Sequence, residues 1–325
     1  MKSANCKLQT GRAERGLYWD RAWSLVDGCM PCDRECEHCW AAAAAAMRGF
    51  QHHPIIRQRY AGLTSAGQFN GTIRLRGDLF ELPLRARKPG TWAVWTDLFH
   101  NQVPDAFLKR ALATMAIAER HRFLICTKRP DLAAIWHLDP TLRTTDWLVR
   151  KWGRDVAWPP VNVAIGTTVG HQAAAWRIAE LMQCPAALRF LSIEPLLESL
   201  SLRDALVPDS SAAVCRCGHG HGFSRCDNYG GIAAQCHVRG CGCRRFQSVH
   251  GIGWAVVGCE SGPGRRPCPL TAVRGVVRQL RDCCVRIWIK QLDLGSRVVN
   301  RLADFPWDLR IRERPEWFFG PESSP

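Results

Sequence analysis

The segment GCMPCDRECEHCW, residues 28–40, places Cys29, Cys32, Cys36 and Cys39 within eleven residues. Thiolates are soft ligands for iron–sulfur clusters and for zinc, and spacing governs what they can hold. Cys32, Cys36 and Cys39 form a C-x3-C-x2-C run. Three thiolates in one short loop can hold three irons of a [4Fe-4S] cluster and leave the fourth iron without a protein ligand. An open coordination position is what separates a catalytic metal from a structural one. Taken together, the four cysteines also suit a closed tetrahedral zinc site, although the central spacer is shorter than in the usual paired knuckles. A second concentration comprises Cys215, Cys217, Cys226, Cys236, Cys241 and Cys243, with His219, His221 and His237 nearby. Thiols interleaved with glycines cannot build a packed core, so an ordered segment of this kind takes its folding energy from a metal. Zinc (Zn2+) is the expectation there, with an auxiliary iron–sulfur cluster or a metal-free loop as alternatives. Arg239, Arg244 and Arg245 lie among these ligands, where the knuckle could touch nucleic acid; the other reading is a lid over the reactive site.

The C-x3-C-x2-C spacing is that of radical S-adenosylmethionine enzymes. In such a site the open iron chelates the amino and carboxylate groups of S-adenosylmethionine, and one electron cleaves the sulfonium. The protein's share of that chemistry is binding, orientation and exclusion of competing reactions. Whole-chain numbers agree with a metal reading of the thiols. A chain of 325 residues buries a core without staples, so its seventeen cysteines are not needed as disulfides. The opening MKSANCKLQTGRAERG is polar and no apolar run approaches the ~18–20 residues of a membrane span. A soluble, cytoplasmic protein with reduced thiols is expected, with no membrane association. Lys and Arg number 44 against 29 Asp and Glu, a net charge of +15, which suits either a polyanionic partner such as nucleic acid or a solvated basic surface.

Elements that position these residues follow from apolar patterning. Near-continuous apolar runs at 22–28, 91–96, 122–127, 161–168, 188–193, 254–259 and 286–290 predict parallel strands buried on both faces. Helices are predicted at 40–50, 105–120, 171–183 and 271–283, the first an alanine run packed against the sheet. This alternation implies α/β architecture, either a doubly wound sheet or a TIM-type β/α barrel with a Cys-rich metal-binding insertion. Polar residues recur at the strand ends: the cysteines, Thr96 and Asp97, Thr127 and Lys128, Thr167 and Thr168, Glu194, Glu260, Lys290 and Gln291. In a barrel these ends share one face. Cys126, Cys184, Cys268, Cys283 and Cys284 read as small apolar residues. The barrel is expected over 1–206 and 251–300, the insertion over 207–250, and a C-terminal tail over 301–325, packed loosely on the outside.

The chain resembles the phage-associated three-cysteine-motif proteins, a family of unknown function similar to radical S-adenosylmethionine enzymes. The likeness is carried by GCMPCDRECEHCWA, FNGTIRLRGDLFELPLRARKPG, WTDLFHNQVPDAF, LICTKRPD, RFLSIEPLLESLSL, VVGCESGPGRRP and IWIKQL, in order from about residue 20 to 292. It implies a partial, radical-enzyme type of barrel, a [4Fe-4S] cluster at the loop, S-adenosylmethionine as cofactor, and a phage or mobile-element setting. An electron-donating partner protein would accompany such chemistry. By the resemblance, Asp97, His100, Glu194 and Glu260 face the barrel mouth, the carboxylates receiving the cofactor's amine or ribose hydroxyls. Lys128 and Lys290 would meet its carboxylate or a substrate phosphate; His100 alone reads as a structural hydrogen-bonding residue. The family triad C-x6-C-x2-C maps to Cys29, Cys36 and Cys39, so Cys32 is extra and gives a second register. GCESG, with Cys259, stands where the family has Gly-Gly-Glu-Ser-Gly, and alanines replace a more charged first helical turn. A nucleic-acid or nucleotide substrate follows from charge and setting. The rival reading is a non-catalytic, metal-dependent nucleic-acid-binding protein in which both cysteine clusters are structural.

Overall fold

A computed structural model describes residues 13–50, 52–138, 159–206, 251–262, 264–295 and 297–320, with the short strands Ala212–Cys215, Gly220–Gly222 and Phe246–Gln247. Eight strands form the main sheet, numbered here β1 (Arg21–Trp23), β2 (Thr91–Val94), β3 (Arg122–Thr127), β4 (Val163–Thr168), β5 (Leu188–Ile193), β6 (Trp254–Gly258), β7 (Arg286–Asp293) and β8 (Val298–Val299). Their spatial order is their chain order, β1 through β7 parallel and β8 antiparallel at the edge. All seven predicted strands are therefore present in one sheet. Each central strand is an apolar run buried along its length, as in Leu188–Ile193 and Trp254–Gly258.

Sequential parallel order has a geometric consequence. Right-handed crossovers that always step in the same direction put every connecting helix on one face. The longer helices are α1 (Trp40–Gly49), α2 (Pro54–Tyr60), α3 (Asp105–Ile117), α4 (Pro130–Leu138), α5 (Trp176–Gln183) and α6 (Leu270–Asp282), of which α3 to α6 pack on that face while α1 and α2 form a separate cluster. Alternate strand residues divide accordingly. Phe123, Ile125, Leu191, Ile193, Ala255, Val257, Ile287 and Ile289 pack with helix residues such as Leu112, Ile178 and Val276. Leu124, Leu188, Phe190, Trp254, Val256 and Trp288 point the other way and pack with Phe318, Tyr18 and Phe319. Residues from the first strands through to Lys290 of β7 line one cavity, so this second face is concave. The sheet nevertheless does not close: no pairing joins β1 to β7 or β8 among the described residues. The structure is α/β with a mostly parallel, open sheet; a closed TIM barrel is absent from the described residues.

The structure departs from expectation in two places, the first of them at the free edge. The tail does not pack loosely. Ile289 N–H donates to the Ile311 carbonyl at 2.9 Å and Glu313 N–H donates to the Ile287 carbonyl at 2.7 Å, so the tail runs along the edge of β7. Phe305, Leu309, Ile311 and Phe318 are buried, and Trp254 Nε1 donates to the Glu313 carbonyl at 2.9 Å. The alanine helix α1 does not pack on the sheet either. Its buried Ala42 and Ala45 meet Leu63 and Phe69 within the excursion between β1 and β2. In the predicted insertion, Cys215 ends a short strand, while Cys217, Cys226, Cys236, Cys241 and Cys243 lie outside the described residues.

Candidate active site

A cavity of about 310 Å³ opens where the strand ends converge, within the range of small-molecule sites. Cys29, Cys32, Cys36, Cys39, Asp97, Lys128, Glu194, Glu260 and Lys290 all line it. The register accounts for this: Val94 pairs with Ile125, Thr127 with Thr167, Thr168 with Ser192, and Ile193 with Val257, which levels the C-terminal ends. Cys259 is buried and lines the cavity beside Glu260. His100 is buried but does not line it; its Nδ1 accepts the Gln102 N–H at 3.3 Å.

The cysteine loop starts at Gly28, whose φ of +94° and closeness to Thr72 exclude a side chain: a Cβ would stand 2.1 Å from the Thr72 carbonyl oxygen. Asp33 then caps a single 3-10 turn, Arg34–Cys36, accepting the Glu35 N–H at 2.9 Å. Cys39 caps α1. Below the turn lies a buried charge cluster. Arg177 of α5 donates to Glu35 Oε2 at 2.9 Å, to the Thr168 carbonyl at 3.0 Å and to Asp33 Oδ2. Glu35 also accepts the Gly170 N–H, and Gly170 is bare because a Cβ there would meet the Pro195 carbonyl oxygen at 2.0 Å. Lys128 Nζ stands 3.9 Å from Glu35 Oε2. Burial raises the Glu35 carboxyl, with the Lys128 and Arg177 cations opposing. Burial would also raise Asp33, yet Arg177 holds it below the usual range.

Within the loop the sulfurs are not equivalent. Cys32 Sγ and Cys36 Sγ are 3.9 Å apart. The hydrogen bond with Cys32 holds Cys36 down at about 5, against burial and with help from the Lys128 ammonium. That same hydrogen bond, with burial, pushes Cys32 up. The pair shares one proton near neutrality, with Cys36 the more acidic sulfur. Burial raises Cys29, which packs with Cys39 against the Ala42–Phe69 cluster.

This donor set suits a soft metal or cluster: anionic sulfur beside a fixed cation, on the rim of a cavity. Two thiolates on one zinc, each at 2.3 Å, would stand about 3.8 Å apart, which the Cys32–Cys36 pair matches. Asp33 joins that pair in a compact group of ligand atoms; Cys29 and Cys39 belong to no such group among the described residues. The four sulfurs therefore do not converge on one ion. Thiolates on separate corners of a cluster stand farther apart than those sharing an ion, so the spread is compatible with the larger group.

Several predicted site residues are already occupied. Asp97 accepts from Thr127 Oγ1 at 2.6 Å, Phe99 N at 3.1 Å, Lys128 N at 3.3 Å and Arg129 Nη1 at 2.6 Å. A carboxylate has about four acceptor sites, so Asp97 fixes the Thr127–Arg129 strand end and has none left for a ligand. Glu260 accepts the Arg266 N–H at 2.8 Å and the Arg266 guanidinium, and stands 3.0 Å from His38 Nδ1. Burial would raise the Glu260 carboxyl, and these partners outweigh it and hold it low. Glu194 Oε2 lies 2.7 Å from Lys290 Nζ while Oε1 accepts the Tyr18 hydroxyl at 3.2 Å. Asp33, Glu35, Arg177, Arg266, His38 and Tyr18 thus shape the site without having been singled out from sequence.

No curated protein and no solved structure matches the chain. The family model of DUF5131, described as a protein of unknown function, matches residues 16–301, from the segment beside β7 through the whole sheet. The chain belongs to the DUF5131 family.

Proposed function

We propose that this cavity is the reaction chamber of a radical S-adenosylmethionine-like iron–sulfur enzyme, built on a partial β/α barrel and of phage or mobile-element origin. One observation carries the reading: a thiol loop at the end of the first parallel strand shares its cavity with charged residues from the ends of the others. Cys36, Cys39 and either Cys29 or Cys32 would hold a [4Fe-4S] cluster. When bound with S-adenosylmethionine, such a cluster supplies one-electron cleavage of the sulfonium, fed by an electron-donating partner protein.

The chain's own residues do the positioning. Arg177 clamps Asp33 and Glu35, which fixes the turn that carries Cys36. Lys128 balances the thiolate charge and offers a cation to a carboxylate or phosphate. Lys290 and Glu194 present an ion pair on the cavity wall, able to meet the polar end of a ligand. Tyr18 and Trp95 line the cavity wall with apolar surface that displaces water. A cytoplasmic setting, where thiols stay reduced, suits this reading; no helix among the described residues is long and apolar enough to cross a membrane.

The Cys32–Cys36 spacing favours a second reading, a metal-dependent nucleic-acid-binding protein with zinc at this loop and in the Cys215–Cys243 segment. Anaerobic reconstitution with iron and sulfide separates the two. The enzyme reading expects a [4Fe-4S] electron paramagnetic resonance signal in the reduced protein that shifts with S-adenosylmethionine and is lost in Cys36→Ala. Bound zinc, no cluster and no shift would overturn it.

A further inference from the structure

We propose that the cavity seats one unpaired base of a single-stranded nucleic acid in an indole corner formed by Trp19, Trp40 and Trp95. This rests on the reading of the cavity as a reaction chamber and adds the substrate class to it. All three indoles line the cavity. The Trp95 ring lies 5.4 Å from Trp19 with the planes at 90°, and 4.7 Å from Trp40 at 78°. A planar ring entering such a corner stacks on one indole and meets the next edge-on, the two geometries aromatic pairs favour. Trp40 is 52% exposed, so its indole is not there to fill a core.

Two further observations point to a ligand. Thr96, directly after Trp95, has φ +63°, an unfavourable conformation for a β-branched residue. Its hydroxyl donates to the Val26 carbonyl and lies against that of Trp95, fixing the chain where the central indole leaves the sheet. Strain of this kind persists where surroundings over-determine it, and it clusters at ligand clamps. Gln68 supplies a polar contact. Its amide donates to the Glu37 carbonyl, while its buried Oε1, in the residue that lines the cavity, has no hydrogen-bond partner among the described residues. Turned toward the cavity that Gln68 lines, this oxygen would accept from a base edge bearing N–H groups.

Charge distinguishes a nucleic acid from other aromatic ligands. Residues 40–90 carry eight basic residues against Asp78 and Glu81, and this segment meets the cavity through Trp40, Ala41, Gln68 and Phe69. Several of these cations are committed: Arg59 and Arg76 to Asp27, Arg85 to Glu81. Arg48, which lines the adjoining pocket with Trp40 and Trp95, and the exposed Arg57 have no acidic partner among the described residues. Phosphates would track over these cations while a base turns into the corner. A duplex offers no free base face, so the substrate is single-stranded or has its base flipped out.

The test uses the metal-free full chain and fluorescence anisotropy, so it stands whether or not a cluster assembles. The probes are an oligothymidylate about twelve nucleotides long and an abasic deoxyribose-phosphate strand of equal length. The thymidylate should bind at least about tenfold more tightly than the abasic strand, and Trp40→Ala should remove about that factor for the thymidylate alone. Arg48→Gln should weaken both probes and flatten the salt dependence. Trp40→Ala lies at an exposed helix start; should it fail to fold by circular dichroism, the wild-type comparison of the two strands still decides. Equal affinity for both strands, or unchanged binding by a folded Trp40→Ala, would overturn the proposal. Binding of adenosine or S-adenosylmethionine at the corner without binding of either strand would assign it to the cofactor and overturn the substrate class.

Discussion

Replacing Arg177 by methionine tests whether the charge cluster beneath the cysteine turn holds that turn in place. The Arg177 side chain is 5% exposed and bridges Glu35, fully buried, and Asp33. Removing one partner from a buried ion pair costs about 3–5 kcal/mol, because the stranded charge loses its compensation. Lys128 remains 3.9 Å from Glu35 and offsets part of this, which places the loss near ~3 kcal/mol. At roughly 2–4 °C per kcal/mol for a large domain, the metal-free protein should melt about 6–12 °C lower at pH 7. The pH dependence has a definite sign. The Glu35 carboxyl is raised, and losing the Arg177 cation raises it further. A group with a raised folded pKa contributes stability below its unfolded pKa and loses that contribution as pH climbs through the folded value. The deficit of Arg177→Met should therefore be smaller at pH 5 than at pH 7. Adding Glu35→Gln to Arg177→Met should recover part of the loss, since the stranded charge is gone. Circular dichroism melting of the three proteins measures all of this. A melting point within 2 °C of wild type, or a deficit that grows on acidification, would refute the buried clamp.

Two other outcomes follow from the same geometry. In reduced, metal-free protein, iodoacetamide should label Cys36 with a half-point near pH 5 and a plateau by neutrality, while Cys126 and Cys184, pushed up by burial to about 11 and about 12, stay unlabelled. A Cys36 rate still rising tenfold per unit at pH 8, read by peptide mapping, would contradict the shared proton. Phe318→Ala should cost about 3–5 kcal/mol in denaturant unfolding, because Phe318 is 1% exposed between the tail and the sheet. An unchanged midpoint would return the tail to a loose surface segment.

What the sequence reveals and what it hides divide along physical lines. The seven parallel strands were legible because burial on both faces writes itself as unbroken apolar runs such as LRFLSI and WAVVG. The cavity residues were legible because parallel strands level their C-terminal ends, so Lys128, Glu194, Glu260 and Lys290 meet once the sheet forms. Their occupancy was not, since a carboxylate in sequence announces an acceptor but not its donors. Asp97 is filled by the Thr127–Arg129 strand end, thirty or so residues on, and Glu260 by Arg266. Glu35 and Asp33 sat in plain view between two cysteines, yet their partner Arg177 arrives from α5, more than 140 residues later. The tail departs from its composition for a related reason. Its Arg, Pro and Trp content speaks of surface, whereas its contacts with β7 are made by backbone N–H and C=O groups that composition does not encode. An open sheet leaves such groups on its edge strand, and they must be covered. The buried tail is thus the counterpart of the unclosed barrel: the departure that leaves β7 without a strand partner in β1 creates the edge on which residues 311–313 lie.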